Sequence, residues 1–289
     1  MYTVLVLADH SEICYPKDSI LFTILSGVLM ALIPVVIFLV MRKFVKFKIK
    51  PVIVGAAVWL LFAVVLKAIV LTPVIGADNS VSRAVNGNIW LFYMIAAAAA
   101  GIFEETGRLV AFKTVLKKND DKQDALYYGI GHGGFEAVYL GFQIAFLGIM
   151  CLMINKGGIE SVVKGADDTM IESLLAQIDK YTSSDIGRAL LMGYERIPAM
   201  IVHIMFSVMV FAAVRERKIG LYFLSVFIHF VIDFSFVLYY AKIISLGVTE
   251  IMFTVEMLVF AVPVYKLLYK KMDINATERR MSDGISGNF

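Results

Sequence analysis

Seven stretches of this chain, at about 20–41, 51–75, 88–113, 124–152, 189–214, 219–241 and 246–268, are strongly apolar and nearly free of charge. Each is close to or above the roughly 20 residues that a helix needs to cross the hydrocarbon core of a bilayer. In lipid, backbone polar groups are satisfied only within helices or a closed barrel. The runs are far longer than the roughly 10-residue alternating strands of a barrel. The sequence therefore predicts an all-α, polytopic transmembrane bundle of about seven spans. Composition agrees, since 60% of residues are AVILMFWYC and 18% are charged, too apolar for a soluble or disordered chain.

Lys and Arg are unevenly divided between the connecting segments. Seventeen fall on the side that holds the connections from span one to two, three to four and five to six and the tail, and seven on the other. The positive-inside rule then places the amino terminus outside and the carboxyl terminus in the cytoplasm. Residues 1–19 form an extracytoplasmic leader without the pattern of a cleaved signal peptide, 20–271 a single transmembrane helical domain, and 272–289 a disordered cytoplasmic tail. The long external loop, 155–188, carries Met170, Ile171, Leu174, Leu175 and Ile178 at helical spacing after Asp167-Asp168-Thr169. It is expected to form a capped amphipathic helix resting on the outer membrane surface. Cys14 and Cys151 are expected to be unpaired. A net charge of +3 offers no nucleic-acid footprint, so the expected partners are the lipid bilayer and a membrane-associated protein or peptide. Nothing in the sequence sets the oligomeric state.

Eleven ionisable residues lie within the predicted spans at positions that should draw attention: Glu104, Glu105, Arg108, His132, Glu136, Glu195, Arg196, His203, His229, Asp233 and Glu256. Each costs on the order of 2–3 kcal/mol to insert, so so many in one chain imply pairing around a polar site. At about 1.5 Å per residue, Glu104, His132, His203 and His229 fall at one level, roughly 12–20 Å below the cytoplasmic surface, although they come from four helices. The expected site is a water cavity opening on that side. Glu195–Arg196, Glu256 and Lys67 read as structural.

In FEETGR, Glu104 and Glu105 stand four and three residues before Arg108, so either acid can reach the guanidinium. Two adjacent carboxylates in low dielectric cannot both ionise cheaply. One is expected to be ion-paired and the other to serve as a general base. His132 and Glu136 share a helix face within GHGGFEA, whose glycines admit close approach by a neighbouring helix. His229 and Asp233 are likewise four apart. Such His–carboxylate pairs can bind zinc, orient a general acid or stabilise an oxyanion, and spacing does not choose among these.

At FEETGR (103–108), GIGHGGFEA (129–137), ER (195–196) with His203, and HFVID (229–233), the sequence resembles the YhfC family of intramembrane proteases, a branch related to CAAX-processing and PrsW-type membrane endopeptidases. The resemblance implies a helical membrane peptidase in which the paired-glutamate helix activates water and later histidines and an Asp complete the site. It selects Glu104 as the base, with Glu105, Arg108, His132, Glu136, His203, His229 and Asp233 as the other site residues. It leaves glutamic-type and metal-dependent chemistry both open, a divalent metal such as zinc being the cofactor in question. The last motif ends in Asp233 rather than Asn, and Phe135 follows His132, departures from the CAAX-processing pattern that argue against prenylated substrates. The alternative functions are a proton-coupled transporter using the same acids and histidines as a relay, and a non-catalytic membrane scaffold.

Overall fold

The computed structural model of the chain describes residues 13–44, 48–182 and 185–272. Most of the leader, the tail from residue 273, and the predicted cytoplasmic cations Lys46, Arg279 and Arg280 lie outside them. Among the described residues all regular structure is helical: α1 (Lys17–Phe44), α2 (Ile49–Trp59), α3 (Lys67–Leu71), α4 (Ser80–Asn86), α5 (Ile89–Lys113), α6 (Gln123–Gly157), α7 (Asp168–Tyr181), α8 (Ile186–Arg215), α9 (Gly220–Tyr240) and α10 (Leu246–Val264). Wider π turns at Leu60–Leu66 and Thr72–Gly76 join α2 and α3 into one segment, and another at Tyr265–Tyr269 prolongs α10. The result is seven helices long and apolar enough to cross a membrane: Lys17–Phe44, Ile49–Gly76, Ile89–Lys113, Gln123–Gly157, Ile186–Arg215, Gly220–Tyr240 and Leu246–Tyr269. The chain is an integral membrane protein.

The chain forms two compact units. The first combines the residues up to Ile33 with Ala137–Arg196. Its core gathers Ile20 and Met30 of α1, Ile144, Leu147, Cys151 and Ile154 of α6, and Ile171, Leu175 and Ile178 of α7. The start of α7 is capped as the sequence suggests, with Asp167 Oδ1 accepting from Met170 N at 2.8 Å. Ile171, Leu175 and Ile178 of its apolar stripe pack onto α1 and α6, while Met170 is exposed, where the sequence suggests a stripe resting on the membrane surface. The same alternation serves either burial, so sequence could not distinguish them. Helix α6 runs five residues past the predicted end at 152. Near that end, Asn155 pairs with the backbone of Tyr15 through two bonds of 2.7 Å. Both cysteines are free.

The second unit comprises Pro34–Glu136 and the chain from Ile197 onward. Here α5 lies most extensively against α9 and also against the α2 segment, and α9 packs on α10. Asn88 starts α5 by accepting from the N–H groups of Trp90 and Leu91, both at 3.1 Å, which satisfies donors left open in a first turn. One core joins Phe112 and Leu116 after the charged part of α5 to Tyr128 of α6 and Phe211 of α8. Another joins Phe206 and Met209 of α8 to Ile228 and Ile232 of α9 and Phe253 of α10.

Candidate active site

The second unit contains all eight predicted site residues. Backbone approach determines how they meet. A Cβ at Gly131 of α6 would collide with Val52 O of α2, and one at Gly133 would come within 2.7 Å of the His203 ring of α8. At Gly101 of α5 a Cβ would lie 3.0 Å from Val226 O and 3.3 Å from His229 Cβ of α9. The glycines of GHGG thus hold α2 and α8 against α6, and Gly101 seats α9 against α5. That proximity brings side chains from α5, α6, α8 and α9 within hydrogen-bonding range.

Arg108 is the hub. Its Nη1 donates to Glu105 Oε1 at 2.5 Å, and its Nη2 lies 2.8 Å from His203 Nδ1 and 3.8 Å from Glu104 Oε2. A guanidinium has no acceptor, so Nδ1 of His203 must accept. The proton of a neutral ring then sits on Nε2, which is 3.0 Å from Glu136 Oε2. Glu105 Oε1 also accepts from His229 Nδ1 at 2.8 Å, leaving His229 Nε2 directed at Asp233 Oδ2, 3.7 Å away. The ring of His229 stacks on Phe206 with centroids 4.7 Å apart. Glu104 Oε2 meets His132 Nε2 at 3.0 Å, while its Oε1 takes part in none of these contacts.

Two chains of polar contacts therefore leave the guanidinium: one through Glu105 and His229 to Asp233, the other through His203 to Glu136, with Glu104 and His132 alongside. Of the acids next to one another in sequence, Glu105 has the short bond to Arg108 and Glu104 the longer approach. Other intramembrane charges make their direct contacts outside these two chains. Glu195 and Arg196 pair with each other, and Glu256 accepts from Ser235 Oγ at 2.9 Å. Sequence reasoning passed over Phe206, whose stacking fixes the His229 ring, and Gly101, whose only signal was its place at the end of an alanine run.

Ligand atoms of Glu104, His132, Glu136 and His203 all lie within 4.8 Å of one another. Two imidazoles and two carboxylates form a donor set suited to a divalent cation such as zinc, and the residues fit one. Toward the end of the helices that carries Lys113 and Arg215, on the side where the sequence predicts a water cavity, the described residues include a buried aromatic layer. Phe112 packs there against Tyr128 at 4.8 Å and Phe211 at 5.3 Å between ring centroids. Aromatic side chains filling a bundle and those facing lipid look alike in sequence.

Comparison with known proteins bears on this site. A family model described as YhfC intramembrane metalloprotease matches residues 29–258, a range that includes every residue of the network. An uncharacterized membrane protein YhfC from Bacillus subtilis (strain 168) is 27% identical over 230 residues, covering 79% of this chain and 88% of that protein. No solved structure matches the chain.

Proposed function

Because the chain belongs to the YhfC intramembrane metalloprotease family, we propose that it is an endopeptidase that hydrolyses a peptide bond of a membrane-associated protein or peptide with water activated by Glu104. The observation carrying this reading is the division of labour between the adjacent acids. Glu105 is occupied by Arg108 and His229, whereas Glu104 keeps Oε1 outside the network.

Glu104 takes a proton from water as the oxygen attacks the scissile carbonyl carbon, and then returns it to the departing amine as the C–N bond breaks. His132, bonded to Glu104 Oε2, orients that carboxylate. His229 is held by Glu105 at Nδ1 and is free to exchange a proton with Asp233 through Nε2, so that an N–H can meet the carbonyl oxygen where negative charge develops. His203 links Arg108 to Glu136 and keeps the α8 side of the site in register. Glu104, His132, Glu136 and His203 would hold a divalent cation, which when bound supplies Lewis-acid polarisation and makes water easier to deprotonate.

The test compares membrane proteomes of cells making the wild type or Glu104→Gln. A tail fragment present only with the wild type identifies a substrate, whose cleavage is then repeated with purified protein in proteoliposomes. Full cleavage of that substrate by Glu104→Gln or His229→Ala would refute the assignment.

A further inference from the structure

Several helix ends of the second unit meet at a basic surface that peptide hydrolysis leaves unused. Leu268 and Tyr269, in the π turn that prolongs α10, pack on the core that holds Leu116 after α5, Ala125 of α6 and Phe211 of α8. Lys117 and Lys118 follow α5, Arg217 follows α8, and Lys266, Lys270 and Lys271 lie in or just after the π turn; all are exposed. The acids of the same segments are already held. Asp120 pairs with Arg215 at 3.0 Å, Asp121 and Asp124 with Lys48 at 2.9 and 3.0 Å, and Glu216 with Lys218 at 2.7 Å. Among the described residues, none of the exposed cations just named is in an ion pair. Positive charge is therefore left over at this end.

The surface is also held in shape. Arg215 Nη2 donates to Leu116 O at 2.7 Å and Asn119 O at 2.8 Å, which uses carbonyls near the open end of α5 and fixes the turn that carries Lys117 and Lys118. In the π turn, Lys270 N donates to Tyr265 O at 3.0 Å, and the rings of Tyr265 and Tyr269 stack with centroids 5.9 Å apart. The Lys270 ammonium lies 5.2 Å from the Tyr265 centroid, and that of Lys122, just before α6, lies 4.4 Å from the Tyr269 centroid. Such cation–π contacts restrain side chains that would otherwise sample many rotamers.

Apolar neighbours decide what this surface meets. Val115 stands between Lys113 and Lys117, Ile219 follows Lys218, and Tyr265 and Leu267 flank Lys266; these four are 55%, 48%, 52% and 58% exposed. A nucleic acid or an acidic protein segment bound from water would leave them in water. At the level where headgroups give way to acyl chains, the cations reach phosphate and the apolar side chains reach hydrocarbon. The cations stand at the ends of membrane-crossing helices, which is that level.

We propose that the basic end of the second unit binds the headgroups of anionic phospholipids, with Lys117, Lys118, Arg217, Lys266, Lys270 and Lys271 holding their phosphates. Binding there is independent of peptide hydrolysis.

Native mass spectrometry of the purified full-length protein, in detergent with equal amounts of phosphatidylglycerol and phosphatidylcholine, counts the lipids retained. Wild type is expected to retain phosphatidylglycerol over phosphatidylcholine by about fivefold or more, since one cation near the headgroups contributes about that factor. The variant Lys117→Gln/Lys118→Gln/Lys266→Gln/Lys270→Gln should fall towards parity. A control with four exposed lysines replaced elsewhere, Lys17→Gln/Lys156→Gln/Lys164→Gln/Lys242→Gln, should keep the preference. No preference in wild type would overturn the proposal without recourse to any variant. An unchanged preference in the first variant, or an equal loss in the control, would overturn it by showing attraction to net charge alone. Displacement of the retained lipid by a soluble glutamate peptide of equal charge would overturn the choice of occupant.

Discussion

Arg108 donates from Nη2 to Nδ1 of His203 across 2.8 Å while Nη1 holds Glu105 at 2.5 Å, so one fully buried guanidinium fixes both a carboxylate and the tautomer of an imidazole. Replacing it with an apolar residue leaves Glu105 buried without its cation, which costs about 3–5 kcal/mol. Arg108→Met should therefore unfold at markedly lower denaturant than wild type in detergent. Adding Glu105→Gln should restore part of the loss, because the stranded charge is then gone. A double variant no more stable than Arg108→Met would show that the guanidinium acts through something other than this pair.

The same contact predicts unequal metal ligands. Both His132 and His203 have Nε2 facing a carboxylate at 3.0 Å, but only His203 would have to bind a cation through one ring nitrogen while the Arg108 guanidinium holds the other. His203→Asn is then expected to weaken zinc binding about 10–100-fold, as for residues that position ligands, and His132→Asn to abolish it. Metal content and zinc titration of the purified variants provide the measurement. Equal loss in the two variants would make His203 a full ligand.

Ionisable groups in apolar helices are conspicuous, and four-residue spacing makes His132 with Glu136, His229 with Asp233 and Glu104 with Arg108 legible as pairs on one face. The spans are legible for the same reason, since charge is nearly absent between their ends. Partner choice across helices is not. Spacings of three and four both allow an ion pair with Arg108, and only the approach of α8 and α9 brings His203 to Nη2 and His229 to Glu105. The aromatic layer and the packing of Ile171, Leu175 and Ile178 of α7 are not legible, because apolar side chains carry no mark of whether they meet protein or lipid.

The glycine cluster gives a graded test of packing. At Gly131 an added Cβ runs into the backbone of Val52, whereas at Gly134 its nearest neighbours are Pro34 Cβ at 3.7 Å and Met200 Cε at 3.9 Å. Gly131→Ala should lose on the order of 1–3 kcal/mol through forced separation of α2 and α6, and Gly134→Ala should be nearly neutral. Gly133→Ala meets the His203 ring at 2.7 Å and should impair cleavage more than stability. Thermal unfolding and proteolysis of the same preparations separate these outcomes.

Outside the spans, Lys48 reaches Asp121 at 2.9 Å and Asp124 at 3.0 Å. Partial burial alone would raise the Asp121 pKa, but the Gln123 N–H and the Lys48 ammonium outweigh it and hold the carboxyl below its usual range. Partial burial would lower the Lys48 pKa, and bonds to Asp121 and Asp124 outweigh that and raise it. The Asp121 contribution is thus present above the unfolded carboxyl value of about 3.9 and lost as pH falls through its lower folded value. The Lys48 contribution is present below about 10.4 and lost as pH rises through its higher folded value. The Lys48 and Asp121 side chains are 32% and 44% exposed, so solvent limits that pair to about 0–1 kcal/mol, whereas the Asp124 side chain is 1% exposed and loses this cation in its burial if Lys48 is removed. Lys48→Met should therefore lower stability across the neutral plateau by more than the exposed pair alone is worth, because buried Asp124 is left without its ammonium partner, and should flatten the acid and alkaline edges. Unfolding midpoints measured across pH check it, and an unchanged alkaline edge would show that Lys48 does not supply it.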